Sequence, residues 1–504
     1  MLSALELLEA VAALLPLFAW CYKTSSHREP YPPGPPRKPV LGNLHQLPES
    51  HPWLTWAEWS KVYGPILYLR LFTRQLVILN TAKSAYDLLD ARAEIYSARP
   101  EAPFNGNICN RKHAVFSISD KHPRFKVYRR LLATNLNPRA IVGYRDVQAS
   151  EARALVRRLL ESPDAYDEHI RRNAASVILY LAYGYSVQDG NDAMLQLVRD
   201  ASLSVEEAVK PGRWMVDSFP ILQFFPEWLP GTSWKRIGAS FRATFDRFRD
   251  IPFAWTKEQI AKGTCTPSFT SRCLLREDGR RLTAEEEDIV KWVANGLYAG
   301  GSDTTGAAMG SFFLVMARYP DIQSRCQAEI DAVCGHERLP TLDDRDALPY
   351  VVATIKEILR CYPVANMGIA HRCTEDDVYN GLHIPRNSVV IANIWALLHD
   401  EATYPDPYTF NPERFLGPNP QLDSRKFAFG FGRRACPGLY FAEASLFVNI
   451  THILAALIIR PGLDEYSGQD ITPEPRHSSG VVSHPEPIKC RITLRSVAAR
   501  RLFD

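Results

Sequence analysis

Apolar positions from Trp53 onward recur mainly at three- and four-residue spacing, the period of helices that bury one face. Two regions abandon that period. In Ile66 to Asn80, ILYLRLFTRQLVILN, two alternating runs flank a polar turn and predict a β-hairpin. After residue 375, DVYNGLHIP carries Asn380-Gly381, a strong two-residue turn signal, and SVVIAN continues as a buried strand. The stretch from about Thr264 to Gly279 reads as a surface loop. Together the pattern predicts a single mixed domain over residues 46–504, mainly α with smaller β-sheets, in the α+β class.

The N-terminus follows a different pattern. It is apolar from Leu2 to Tyr22 except for Glu6 and Glu9, close to the roughly 20 residues a spanning helix needs. Lys23, His27, Arg28, Arg37 and Lys38 follow it, and the positive-inside rule then puts the rest of the chain in the cytosol. A small-residue cleavage site is not evident, so residues 1–22 are expected to be a retained transmembrane anchor rather than a signal peptide or a surface helix. Residues 23–45 form a basic, proline-rich hinge, in which YPPGPPRKP places five prolines in nine residues and favours a stiff strap.

Composition narrows the class of function. The 504 residues are 46% hydrophobic and 23% charged, as in globular proteins. A formal net charge of +3 argues against nucleic acid as the main partner and leaves room for a local basic docking face. Ten cysteines are scattered without any C-x-x-C, so they read as reduced thiols of a cytosol-facing body, not as zinc ligands.

The longest helix is the clearest. Thr283-x-x-Glu286 forms a capping box, acids crowd Glu285 to Asp288, and Pro320 follows the far end. A helix over Ala284 to Tyr319 would run roughly 50 Å at about 1.5 Å per residue. Its middle nevertheless holds Gly296, Gly300, Gly301, Gly306 and Gly310, each costing about 1 kcal/mol against alanine. Either something lies flat against this helix or its middle opens. Asp303 and Thr304 sit within that stretch. They read as a threonine bonded back to its i−4 carbonyl beside a solvent-facing acid, or as a hydroxyl and carboxylate placed to relay protons. The surrounding glycines favour the second.

Three further stretches carry chemistry. Glu357 and Arg360 stand one turn apart in KEILR, a pair that alone is usually surface decoration. FNPERF offers a second guanidinium, Arg414. FGFGRRACPG satisfies the loose dinucleotide pattern at Gly430, Gly432 and Ala435, yet SRKFAF before it is a poor strand and no acid follows in NITHILAALI. The same stretch fits a metal-ligating thiolate better. Cys436 opens an apolar helix whose free N–H groups favour a thiolate; Gly432 and Gly438 allow close backbone approach, Arg434 can reach a neighbouring anion, and Phe429 can shield the sulfur.

Phe429-x-x-Gly432-x-Arg434-x-Cys436-x-Gly438 resembles the haem-binding signature of the cytochrome P-450 superfamily. Gly300 to Thr305, Glu357-x-x-Arg360, Pro412 to Phe415 and the PPGPP hinge resemble that superfamily's other motifs, in its order and along the whole chain. The resemblance implies a triangular haem-enclosing domain behind a membrane anchor, with haem b as cofactor. It implies Cys436 as axial ligand of the haem iron, and Arg434, His371 and Arg129 on the propionates. Glu357, Arg360 and Arg414 would form a buried ion triad, and Asp303 and Thr304 would handle protons during dioxygen activation. One departure stands at Phe125, where many relatives carry a tryptophan whose indole N–H meets a propionate.

The same resemblance implies a monooxygenase, with a non-catalytic haem sensor or carrier disfavoured by the Asp303-Thr304 pair. Electrons would come from NADPH through a membrane-bound NADPH-cytochrome P-450 reductase, or from cytochrome b5, with the protein held at the endoplasmic reticulum membrane. Lys126, Arg130, Arg425, Lys426 and Arg433 would dock that partner or simply solvate the surface. The substrate pocket would draw on the 100–120 loop, the 205–215 region, Val364, Met367, Ile369, Val481 and Val482, a mostly apolar set suited to a lipophilic small molecule. No arginine or lysine stands in PVANMGIA or SGVVS, which disfavours fatty acids. The style of the chain resembles fungal microsomal members, pointing to a terpenoid, polyketide or aromatic alkaloid of secondary metabolism ahead of a broad xenobiotic oxidase.

Overall fold

The computed structural model describes residues 29–188, 190–276 and 278–503; the expected anchor, residues 1–22, lies outside them. Helix α1 (Pro52–Tyr63) leads into strands β1 (Ile66–Leu71) and β2 (Arg74–Leu79). The helical body follows as α2 (Pro123–Leu136), α3 (Arg145–Glu161), α4 (Tyr166–Tyr183), α5 (Ala193–Ala208), α6 (Trp234–Lys262), α7 (Phe269–Leu274), α8 (Ala284–Arg318), α9 (Pro320–Cys334) and α10 (Pro349–Cys361). Strands β3 (His371–Arg372), β4 (Asp377–Tyr379), β5 (Leu382–Ile384) and β6 (Val389–Ala392) precede α11 (Leu439–Ala456). Strands β7 (Leu457–Leu463), β8 (Asp470–Ile471) and β9 (Cys490–Leu494) come last.

The fold is mostly helical with small sheets, and the two β regions form where alternation predicts them. Strands β1 and β2 pair antiparallel with Ile66 opposite Leu79. Strand β6 adds to β2 in parallel, Leu76 opposite Val389, and β3 adds to β6. SVVIAN therefore joins the first hairpin's sheet, while β4 and β5 form a separate ribbon. Asn380 and Gly381 both have positive φ, 52° and 74°, which is why that dipeptide makes the tight turn between them.

Helix α8 runs 35 residues without a break, about 50 Å. Thr283 Oγ1 accepts from Glu286 N at 3.2 Å and Glu286 Oε2 accepts from Thr283 N at 2.8 Å, closing the expected capping box. The glycines, however, serve packing. A Cβ at Gly296 would meet Val115 Cγ2 at 2.6 Å, at Gly301 Ile178 Cδ1 at 2.7 Å, and at Gly310 Pro485 Cγ at 2.8 Å. They let neighbouring segments press into the helix, which corrects the expectation that a flat ligand alone explains them. The helix crosses the core, packing on α4, α10 and α11.

One loop expectation fails. Within Thr264–Gly279, Ser268 and Ser271 cap each other reciprocally and start α7, whose Phe269 is fully buried and whose Thr270 hydroxyl donates to Ala182 O at 2.7 Å. A serine at the third helical position replaces the Glu or Gln that usually marks a capping box, so the start signal is hidden. Helix α11 is long and apolar enough to cross a membrane, but 83% of it is buried inside the protein, and it is a core helix.

Candidate active site

A cavity of about 2110 Å³ lies between α8 and the loop that precedes α11, well above the roughly 300–1,000 Å³ of a pocket for one drug-sized molecule. Its lining includes Phe429, Arg434, Cys436 and Gly438 on the loop side, and Asp303 and Thr304 on α8. Val364, Met367, Ile369, Val481 and Val482 line it as well.

The cysteine loop is shaped by backbone hydrogen bonds. Cys436 N donates to Phe429 O at 2.7 Å, and a single helical turn over Gly432–Arg434 folds the loop back. The segment before it, Arg425–Ala428, is a short helix, so the dinucleotide pattern lacks its strand here too. Gly430 and Gly432 both have positive φ. A Cβ at Gly432 would lie 2.5 Å from Leu89 O, so this glycine admits the backbone of residue 89, not the sulfur as expected. Gly438 does face the sulfur: its Cβ position is 3.7 Å from Cys436 Sγ. Cys436 is exposed, its side chain open to the cavity. Burial raises its pKa, and the Gly438 N–H and the Arg129 charge oppose that rise without reversing it. The helix-terminus argument for a standing thiolate is therefore insufficient in the chain alone, and a cation at the sulfur would be needed to hold it ionised.

Around this sulfur the chain gathers three arginines and a buried histidine. Arg434 donates through Nε to Ser97 O at 2.8 Å and through Nη2 to Ile118 O at 2.6 Å. Its guanidinium lies 4.3 Å over the Phe125 ring, which gives this phenylalanine a stacking role in place of an indole bond. Arg129 donates to Ala435 O at 2.9 Å. His371 is anchored through Nδ1 to Tyr96 O at 2.8 Å, which leaves Nε2 free to meet a ligand. Arg99, 8% exposed, donates to Phe116 O, Ile369 O and Ala370 O at 2.7–3.0 Å.

All four groups line the cavity, and all four lose proton affinity. Burial lowers Arg129 and, with Arg129 repelling it, takes Arg434 down to about 10. Burial and the charges of Arg99 and Arg434 hold His371 near 3, while burial and Arg434 pull Arg99 down. Asp120 is the carboxylate that counters Arg434, and its own Oδ1 lacks a hydrogen-bond partner among the described residues. Such a cluster is short of negative charge. A flat dianion beside the cysteine is the group these residues fit, and iron protoporphyrin is such a group.

On the facing wall, Thr304 Oγ1 donates to Gly300 O at 2.6 Å, the back-bonded arrangement. Its proton is committed, so its lone pairs are what it offers the cavity. Asp303 is not a free surface acid: its Oδ1 lies 3.1 Å from His484 Nε2 and 3.9 Å from Arg171 Nη1. Away from the cavity, Glu357, Arg360 and Arg414 do meet. Arg360 Nε donates to Glu357 Oε2 at 2.7 Å, Arg414 Nε and Asn411 N donate to Oε1 at 3.0 and 2.8 Å, and Glu357 and Arg360 are fully buried.

The family model described as Cytochrome P450 matches residues 32–492. The chain belongs to the cytochrome P450 family. It is 41% identical over 481 residues to cytochrome P450 monooxygenase claR of Ampulloclitocybe clavipes, covering 94% of this chain and 88% of that one. It is 38% identical to cytochrome P450 monooxygenase 208 of Postia placenta, covering 98% and 96%. It is 35% identical to cytochrome P450 monooxygenase ppsD of Aspergillus oryzae, covering 97% and 93%. The protein is a P450 monooxygenase, a haem-thiolate oxidoreductase, and enzymes of this family take electrons from redox partners.

Sequence reasoning missed two members of this P450 site. Arg99 precedes Pro100 in SARP, with no spacing that marks it, and only tertiary contact brings it to Arg434. His484 lies far along the chain from its partner Asp303. Of the expected docking cations, Lys126, Arg130, Lys426 and Arg433 are exposed, whereas Arg425 is tied to Asp423 and Glu443 and is not available.

Proposed function

We propose that this P450 monooxygenase inserts oxygen into a lipophilic small molecule of fungal secondary metabolism, a terpenoid, polyketide or aromatic alkaloid, using haem b held by Cys436. When bound, the haem supplies dioxygen activation and C–H oxidation. The observation that carries this reading is the juxtaposition of one cysteine, three undercompensated arginines and the neutral His371 on one cavity wall with Asp303 and Thr304 on the other. Arg99, Arg129, Arg434 and His371 bind the propionates, and Phe429 and Gly438 keep water from the sulfur. Thr304 Oγ1 accepts a hydrogen bond at the cavity, and Asp303 passes protons inward from the His484 and Arg171 side. The apolar set Val364, Met367, Ile369, Val481 and Val482 receives the substrate.

Electrons come from NADPH through an NADPH-cytochrome P450 reductase docked on Lys126, Arg130, Lys426 and Arg433. Residues 1–22 anchor the enzyme at the endoplasmic reticulum membrane as a single-pass helix, residues 23–45 are the hinge and residues 46–504 the catalytic domain. An exposed apolar face supports membrane attachment: Ile221, Phe224 and Trp228 are 64%, 75% and 80% exposed, and Phe219 packs on Phe72, which bonds to Leu41 beside exposed Val40.

The test is the reduced, carbon-monoxide-bound difference spectrum of the purified protein. The long-wavelength Soret band of thiolate-ligated haem is expected in the native protein and its loss in Cys436→Ala. A native-like band in that variant would reject Cys436 as the ligand.

A further inference from the structure

The loop that roofs the cavity contains a cation without a counter-charge among the described residues. Phe104–Ile108 forms a π-helical turn, a form found often at functional sites. Arg111 follows it, its backbone N donating to Asn105 O at 3.3 Å, and both side chains line the cavity. The Arg111 guanidinium rests 4.3 Å over the Phe245 ring of α6 and makes no hydrogen bond or ion pair among the described residues. Nearby carboxylates are already engaged: Asp217 accepts from Phe104 N at 2.9 Å, and Asp246 pairs with Arg249 at 3.0 Å. Burial brings Arg111 down to about 10, opposed only by the Cys109 thiol. Asn105 is 8% exposed, and its Oδ1 is buried without a donor among the described residues. A desolvated cation and an unmet amide on one turn describe the polar end of a ligand site.

We infer that Arg111 anchors the carboxylate of an acidic substrate, with Asn105 as a second polar contact. The inference rests on the monooxygenase reading above and names the substrate class of the same cavity. Val115, on the same loop, presses on Gly296, eight residues before Thr304. That contact lies about 12 Å along α8 from Thr304, so an elongated acid held on this loop would be bound at one end and offered for oxidation toward the other. The sequence expectation against acids rested on PVANMGIA and SGVVS; the cation comes from a different segment.

The test uses full-length holoprotein in dilute detergent, with dodecanoate and methyl dodecanoate as probes and equilibrium dialysis as the readout. Dodecanoate is expected to bind roughly ten- to a hundred-fold more tightly than the ester. Arg111→Gln should erase that preference while leaving ester affinity unchanged, and Arg111→Lys should retain part of it. Lowering the pH through the acid's own pKa, about 4–5, should also erase it. Equal binding of acid and ester by the native protein would overturn the proposal and needs no variant. So would equal weakening of both probes in Arg111→Gln, which would assign the residue to packing on Phe245. Acid preference in a protein that lacks the thiolate-haem spectrum would overturn the haem reading and leave the anchor standing.

Discussion

Two groups of buried guanidiniums divide this molecule by where their counter-charge comes from. Arg360 and Arg414 share the Glu357 carboxylate, so that set is neutralised within the chain apart from its surplus cation, which backbone carbonyls such as Leu398 O absorb. Among the described residues, Arg99, Arg129 and Arg434, with His371, have one carboxylate acting on them, Asp120 on Arg434. They lean on carbonyl oxygens and on Phe125 instead. The first set is complete when the chain folds. The second would be completed by an anion from outside the chain, and under the proposed function this difference separates residues that hold the fold from residues that would hold the cofactor.

Breaking the closed set should cost most. Glu357→Ala leaves two buried guanidiniums unpaired, and a loss of about 3–5 kcal/mol is expected, read as a lower urea midpoint with and without haem. The open set should respond only through the cofactor. Arg129→Gln is expected to weaken haem retention about ten-fold, about 1.4 kcal/mol, while shifting haem-free unfolding by less than about 1 kcal/mol. Transfer of haem to an acceptor protein measures the first effect and denaturation the second. If Arg129→Gln destabilises the haem-free protein as much as Glu357→Ala does, the distinction is wrong.

Acid should sharpen the same comparison. His371 and His452 sit near 3 and 4 in the folded protein because burial disfavours their charged forms. Since the unfolded chain takes up these protons near 6.5, each contribution is whole above that pH and falls as the pH drops toward the folded value. Between pH 6.5 and 5 the expected loss is up to about 2 kcal/mol per histidine. A bound dianion would favour protonated His371, so haem should flatten its share of the slope and leave the His452 share unchanged. Urea midpoints across this range, with and without haem, read the difference. The smallest expected effect is in Thr304→Val, which keeps the shape and removes the hydroxyl. Fold stability should change by less than about 1 kcal/mol, while the share of reducing equivalents reaching product falls several-fold, measured as product per NADPH.

Legibility in the sequence followed the length scale of the cause. The α8 capping box, the Ile66–Asn80 hairpin and the Asn380-Gly381 turn are local, and they form where the pattern placed them. Helix α7 escaped because its cap is a pair of serines and its helical run is six residues long. The glycines of α8 were visible, but which neighbour each admits is a tertiary fact. Cys436 could be singled out from its flanking residues, whereas Arg99, Arg111 and His484 became notable only when folding brought them to Arg434, Phe245 and Asp303.

Val481 and Val482 face the cavity, His484 holds Asp303, and Pro485 is wedged against Gly310. Within five residues, a stretch of the cavity lining is thus bolted to the helix that carries the acid. A chain under selection for a new substrate cannot freely redraw this edge, because every shift in it is also felt at Asp303. Novelty is cheaper on the far rim, around residues 104–116, where the loop touches α8 through single side chains and leaves that acid alone.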